Sequence, residues 1–184
     1  MWGGKSSWLN SELTLLADIG LKCVKIIHVD DTRPASDDSG STHNSSFTKI
    51  TSKVDIIKAA RLADIPVEEL AKYHTIGVDE AQWFSDLFVQ ITYLVNEEKM
   101  NILVAGLSGN FQQEKFGQVL DLIPKANEAK LMLAKCHECL REDPTNIVDA
   151  PFTKRLDKSI TAEKDVGAGD KYMAVCRYHY LKNS

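Results

Sequence analysis

The chain has 184 residues, 43% hydrophobic and 26% charged, with 22 Lys and Arg against 26 Asp and Glu and a net charge of −4. That length suits one buried core with at most a small satellite, and the acidic balance offers no basic face to a nucleic-acid polymer. Apolar runs stay well short of the roughly 18 residues a membrane span needs, and the N-terminus, MWGGKSSWLN, lacks the apolar stretch of a secretory signal, so a cytoplasmic protein is expected.

In chain order, Leu9, Leu13, Leu16 and Ile19 mark the apolar face of a helix ended by Gly20. Residues 23–29 read as a strand with Cys23 as a small core residue. Residues 34–46 are polar and rich in small side chains, the composition of a mobile loop. A short helix is expected from Asp64-Ile-Pro66 to about Tyr73, with Pro66 in its first turn. Residues 75–78 form a short strand running into Asp79-Glu80, and Phe84, Leu87, Phe88, Ile91, Leu94 and Val95 trace one face of the next helix. Residues 101–106 and 129–134 read as further strands. This alternation predicts a parallel sheet flanked by helices. Beyond Lys135 the pattern breaks into short, cysteine-punctuated pieces, which places a domain boundary near 130 and divides the chain into 1–130 and 131–184.

Gly3-Gly4-Lys5-Ser6 ahead of a helix fits a phosphate-binding loop. Glycine backbone N–H groups approach phosphate oxygens, the lysine reaches the outer phosphates and the serine hydroxyl ligates Mg²⁺. The full pattern G-x-x-x-x-G-K-[ST] would put its first glycine, and the strand that launches the loop, ahead of Met1. Alone, GKS equally fits a glycine-rich helix start. Asp79 and Glu80 at the end of a strand suit a Mg²⁺-associated acid followed by a proton acceptor, or else a solvated helix N-terminus, where acids are favoured. His28, His43 and His74 lack partners at a readable spacing and are expected to be structural or solvated. Cys136-His-Glu-Cys139 and Cys176-Arg-Tyr-His179 are two ligand pairs of the spacing that closes a tetrahedral zinc site, three thiolates and one imidazole with no position left for water. His137 and Tyr178 lie inside the pairs and are not expected to bind. A redox C-x-x-C would leave Cys176 and His179 unexplained, and a chance cluster of core cysteines remains the other reading.

Taken together and in order, GGKS, DDTR (Asp30 to Arg33), VDEAQWF, VAGLSGNFQQEKFG, CHEC, TKR (Thr153 to Arg155) and GAGDKYMAVCRYH resemble the type II thymidine kinases, the cytosolic zinc-containing group, across essentially the whole chain. The resemblance implies an α/β, P-loop NTPase-like parallel sheet with flanking helices and a small zinc-binding lasso domain. It also implies ATP-dependent phosphorylation of the 5′-hydroxyl of thymidine or deoxyuridine, Mg²⁺ with the ATP, a structural Zn²⁺, and usually a homotetramer. Glu80 matches the general base, with Lys5 and Arg33 at the transferred phosphate. Met1, Trp2, Gly3, Gly4, Lys5, Ser6, Asp31, Thr32, Arg33, Asp79, Glu80, Ala81 and Gln82 match the ATP site, with Ser6 and Asp79 on Mg²⁺. Met1, Trp83, Leu107, Phe111 and Phe116 match residues that enclose the base. Glu163, Lys164, Asp165, Val166 and Gly167 match the lasso backbone at the base edge, Tyr172 the tyrosine near the sugar, and Cys136, Cys139, Cys176 and His179 the zinc ligands.

The chain departs from the family pattern in several places. The first loop glycine, its strand and the proline before Met1 are missing, Trp83 stands for the usual phenylalanine, and His179 stands for the fourth cysteine. Residues 143–150 look like an insertion. The missing loop elements set up the rival expectation, a nucleotide-binding zinc protein with impaired catalysis. Another kind of P-loop ATPase would fit the acid pair but would leave GAGDKY and the cysteine pairs unexplained.

Overall fold

The computed structural model describes residues 2–31, 50–156 and 171–182. The expectations for Met1, Thr32, Arg33, residues 34–46, His43 and residues 163–167 fall outside them. The chain forms two compact units. The larger comprises Lys5–Ser108 and Phe116–Ala129, the smaller Met1–Gly4, Gly109–Lys115 and Lys130–Ser184.

The larger unit opens with α1 (Lys5–Asp18). Its C-terminus closes by a paired reverse bond: Gly20 N–H reaches Ala17 O at 3.1 Å and Leu21 N–H reaches Leu16 O at 3.1 Å. Gly20 takes the left-handed conformation this stop requires, φ 95°. Leu9 and Leu13 are fully buried, whereas Ile19, expected on the same face, is 69% exposed. It lies just past the last helical residue, where the chain leaves the stripe.

The sheet follows as β1 (Cys23–His28), β2 (Val54–Ala59), β3 (Thr75–Val78) and β4 (Asn101–Val104), all parallel in the order β2-β1-β3-β4. The short helix α2 (Val67–Leu70) precedes β3, and α3 (Leu87–Asn96) connects β3 to β4. The expected α/β architecture is therefore present. Both faces of the sheet are covered, which is why its central strands read as apolar runs. Val24, Ile26, Ile76 and Val78 share one cluster with Leu87, Ile91 and Leu94 of α3. Cys23 and Val54 share another with Leu9, Leu13 and Ala17 of α1.

Gly77 sets how closely α1 approaches. A Cβ there would lie 2.7 Å from Leu13 Cδ1 and 3.1 Å from Leu9 Cδ1. Gly77→Ala is expected to destabilise by about 1–3 kcal/mol through overpacking, read as a lower urea midpoint at unchanged slope. An unchanged midpoint would show that α1 shifts freely.

One strand, β2, is not anticipated by the sequence reading: it lies at the sheet edge and only its ends, Val54 and Ala59, are buried. Two expectations need correction. Of residues 129–134 only Ala134 enters a strand, β5 (Ala134–Lys135), and Leu131 is 77% exposed; an apolar run without a neighbouring strand has nothing to pair with. The expected buried strand 101–106 is the four-residue β4, an edge strand whose side chains are exposed or half-buried.

In the smaller unit β5 pairs antiparallel with β6 (Asp149–Ala150), followed by a second antiparallel pair, β7 (Phe152–Arg155) and β8 (Tyr172–Val175). Helices α4 (His137–Glu142) and α5 (Arg177–Leu181) start directly after Cys136 and Cys176. The segment 143–150 thus has a structural role. Asp143 Oδ1 accepts the Thr145 N–H at 2.9 Å, and the segment ends in the strand that partners β5. The fully buried apolar cluster here is Ala134, Ala150, Ala174, Val175 and three cysteines, with Val148, Phe152, Met173 and Tyr180 only partly buried against it, a small core for a unit of this size.

Candidate functional site

In a sheet ordered β2-β1-β3-β4, the chain leaves β1 toward one side for β2 and returns to the other for β3. The crevice beyond the carboxyl ends of β1 and β3 is where open α/β sheets bind ligands. Asp79 and Glu80 follow β3 directly, and the N-terminus of α1 meets them there: Ser6 Oγ donates to Asp79 Oδ1 at 3.0 Å. Asp79 is 2% exposed and Ser6 buried, so two sequence-distant residues come together as a pair of hard oxygen donors, the chemistry that suits Mg²⁺. The same Asp79 oxygen accepts the Glu80 N–H at 2.9 Å.

Glu80 itself lies in left-handed backbone, φ 46° and ψ 42°. A side chain with a Cβ enters this region at a cost of about 1–2 kcal/mol. The sharp bend turns the chain from β3 into a 3₁₀ turn over Ala81–Trp83. Ala81 N–H is held by Ala105 O at 3.0 Å, and Gln82, buried, fixes the carboxylate. Its Oε1 accepts the Leu107 N–H at 2.9 Å, which leaves Nε2 to donate to Glu80 Oε2 at 2.5 Å. Trp83 and Phe116 meet edge to face with centroids 5.7 Å apart, and both are half-buried. His28 is buried and structural, as expected. It accepts Asp30 N–H at Nδ1 (3.2 Å), which puts its proton on Nε2 to donate to Ala60 O at 3.0 Å.

Lys25 and Asn10 have no signal in the sequence. Lys25 is buried in the middle of β1, with Nζ 2.8 Å from Asp79 Oδ2 and 2.9 Å from Asn10 Oδ1. Its register partner on β3 is Gly77, and Asp79 follows two residues later on the same face.

The smaller unit carries the second constellation. Ligand atoms of Cys136, Cys139, Cys176 and His179, all buried, lie within 4.8 Å of one another. Cys139 Sγ is 3.8 Å from Cys176 Sγ. His179 Nδ1 is 3.6, 3.4 and 3.4 Å from the sulfurs of Cys136, Cys139 and Cys176. Zinc with Zn–S of about 2.3 Å and Zn–N of about 2.0–2.1 Å gives tetrahedral edges of about 3.8 Å between sulfurs and about 3.6 Å from sulfur to nitrogen. The four donors therefore fit a closed tetrahedral ion. Burial raises the Cys136 thiol, but hydrogen bonds from the Cys139 and Cys176 backbone and thiols outweigh it and draw it below the ordinary thiol range, while burial and the neighbouring sulfurs push the Cys139 thiol up, the behaviour of thiols crowded around one centre. His179 Nε2 reaches Glu142 Oε1 at 3.2 Å, an arrangement like the outer carboxylates that fix the rings of histidines where they bind metals. His179 and then Lys182 hold the Glu142 carboxyl below its ordinary range.

Elsewhere in this unit Arg155 lies over the Phe111 ring at 4.7 Å and the Tyr172 ring at 5.6 Å, with the two rings 6.2 Å apart. Trp2, Gly3 and Gly4 of the loop also belong here, Trp2 exposed. In the larger unit Lys5 is half-buried at the first position of α1 and Asp31 is half-buried beyond β1. No helix among the described residues is long and apolar enough to cross a membrane.

Comparison with known proteins converges on one family. The family model described as thymidine kinase matches residues 1–180. A protein named cytosolic thymidine kinase from Cricetulus griseus is 35% identical over the whole chain, which spans 71% of that relative. Its counterpart from Homo sapiens is 34% identical with the same coverage. A thymidine kinase from Vaccinia virus (strain Western Reserve) is 30% identical over 98% of this chain and 92% of its own length.

Proposed function

The chain belongs to the thymidine kinase family, and on that premise we propose that it transfers the γ-phosphate of ATP to the 5′-hydroxyl of thymidine or deoxyuridine. The observation that carries the reading is the hydrogen-bonded series from Ser6 through Asp79 and Glu80 to Gln82, at the carboxyl end of β3. Phosphoryl transfer needs positioned reactants and neutralised charge more than covalent participation by the protein. Ser6 and Asp79 would hold Mg²⁺, which supplies neutralisation of phosphate charge. Lys5 at the head of α1 would meet the outer phosphates, where the helix dipole adds to its charge, and Arg33 would share that role. Glu80 accepts the proton of the attacking hydroxyl, aimed by its bent backbone and by the Gln82 amide.

Trp2, Gly3, Gly4, Asp31, Ala81 and Gln82, with Met1 and Thr32, complete the proposed ATP contacts. Trp83 and Phe116 give an aromatic corner for a pyrimidine ring, and Leu107, held by Gln82, lies in the same unit. Phe111, Tyr172 and Met1 are further proposed nucleoside contacts, with residues 163–167 reading the base edge through their backbone. A structural zinc on Cys136, Cys139, Cys176 and His179 is supported by the tetrahedral spacing. A cytosolic location follows the names of the relatives, and assembly as a homotetramer rests on the family resemblance alone.

The test is transfer of radiolabelled γ-phosphate from ATP with Mg²⁺ to thymidine and, in parallel, to deoxyuridine and cytidine. Labelled thymidine 5′-monophosphate, with cytidine unreacted, is the expected product. A folded, zinc-loaded chain that labels none of the three would overturn the reading.

A further inference from the structure

The buried lysine under the acid pair is a second layer of the same site, and its consequence rests on the placement of Mg²⁺ at Ser6 and Asp79 proposed above. Lys25 is 6% and Asp79 2% exposed. Ser6 Oγ and Glu80 N both bond Asp79 Oδ1, while Oδ2 faces Lys25 Nζ at 2.8 Å. The ammonium is fixed from behind by Asn10 Oδ1 at 2.9 Å, on the second turn of α1. The helix that brings Ser6 to the site thus also anchors the cation. In a buried setting an opposite charge this close dominates what the carboxylate presents to a third ion.

We infer that Lys25 is a positioning residue that acts as the resident counter-ion of Asp79, holding the carboxylate in place and keeping bare divalent cations off the Ser6–Asp79 pair until nucleotide phosphates arrive. A divalent cation entering alone meets a carboxylate whose charge Lys25 already balances. A cation entering with a polyphosphate meets the phosphate charge as well, and the balance tips toward binding. The lysine therefore couples occupancy of the metal position to occupancy of the nucleotide position.

The test is the binding of Mn²⁺, a paramagnetic stand-in for Mg²⁺, to the full-length, zinc-loaded chain without nucleotide, followed by electron paramagnetic resonance. The variants are Lys25→Met, Asp79→Asn and Lys25→Met/Asp79→Asn. Lys25→Met is expected to tighten Mn²⁺ binding at least tenfold, and the double variant to lose that gain. Equal affinity in the wild-type chain and Lys25→Met, or a gain that persists in the double variant, would overturn the inference. If Lys25→Met does not fold without metal, far-UV circular dichroism decides. Folding restored by Mn²⁺ or by adding Asp79→Asn supports the counter-ion role; a double variant that also stays unfolded reduces Lys25 to packing and overturns it. No turnover is measured, so a tenfold gain in a chain that fails to phosphorylate thymidine would sustain the lysine's role and reject the kinase reading. Turnover with unchanged Mn²⁺ affinity would do the reverse.

Discussion

Glu80→Gln is expected to slow phosphate transfer to thymidine by roughly 10²–10⁴-fold, the range that a positioned general base contributes, with ATP affinity nearly unchanged. The substitution is conservative where it matters. The glutamine oxygen still accepts the Gln82 Nε2–H donor that Glu80 Oε2 meets at 2.5 Å, and the Glu80 backbone N–H still reaches Asp79 Oδ1. Only the capacity to take a proton is removed, so the loss should fall on kcat rather than on nucleotide binding. Single-turnover transfer measured beside ATP binding by calorimetry separates the two. Retained full turnover would remove Glu80 from the role of base. Glu80→Gly sharpens the argument. It relieves a left-handed backbone, φ 46°, and is expected to keep or raise the unfolding midpoint while transfer is lost, because the strain serves to aim the carboxylate.

Cys139→Ser is expected to lower zinc affinity by on the order of 10²-fold or more, beyond the 10–100-fold that losing an outer partner such as Glu142 brings, and to melt the smaller unit. The reasoning is one of proportion. The unit buries mostly alanine and cysteine side chains around its centre, whereas structural zinc contributes about 10–16 kcal/mol to the folding of small domains. Cys139 Sγ stands 3.4 Å from His179 Nδ1 and 3.8 Å from Cys176 Sγ, so its loss opens one corner of the tetrahedron. Metal content after dialysis against a mild chelator, with circular dichroism on the same samples, reads both effects. Cys23→Ala is the control: that thiol is buried against α1 in the other unit, and its loss should leave zinc bound. Zinc retained by Cys139→Ser at wild-type affinity would refute the ligand set.

What the sequence discloses here is largely what repeats or is spaced. The helix and strand alternation, the x₂-spaced cysteine pairs and the acid pair at the end of β3 are local patterns, and the structure presents each of them. Four features depend on neighbours distant in the chain. Lys25 in an apolar strand reads as a lone polar interruption until the β1–β3 register sets Asp79 on its face. β2 is invisible because an edge strand with exposed middle residues has no alternation to read. Residues 129–133 mislead in the other direction, since an apolar run is read as a strand whether or not a partner exists. The bend at Glu80 belongs to the same class, because no residue type announces a left-handed glutamate.

The order of the four strands also bears on how the molecule reaches its native state. The central pairing joins Cys23 of β1 to Thr75 of β3, and Ser6 meets Asp79 from still farther away. Parallel pairings of such sequence separation pay loop closure before any contact rewards it. Ser6 and Asp79 are therefore expected to come together only as the sheet closes, so that a nascent chain would lack this pairing until β3 has emerged and docked.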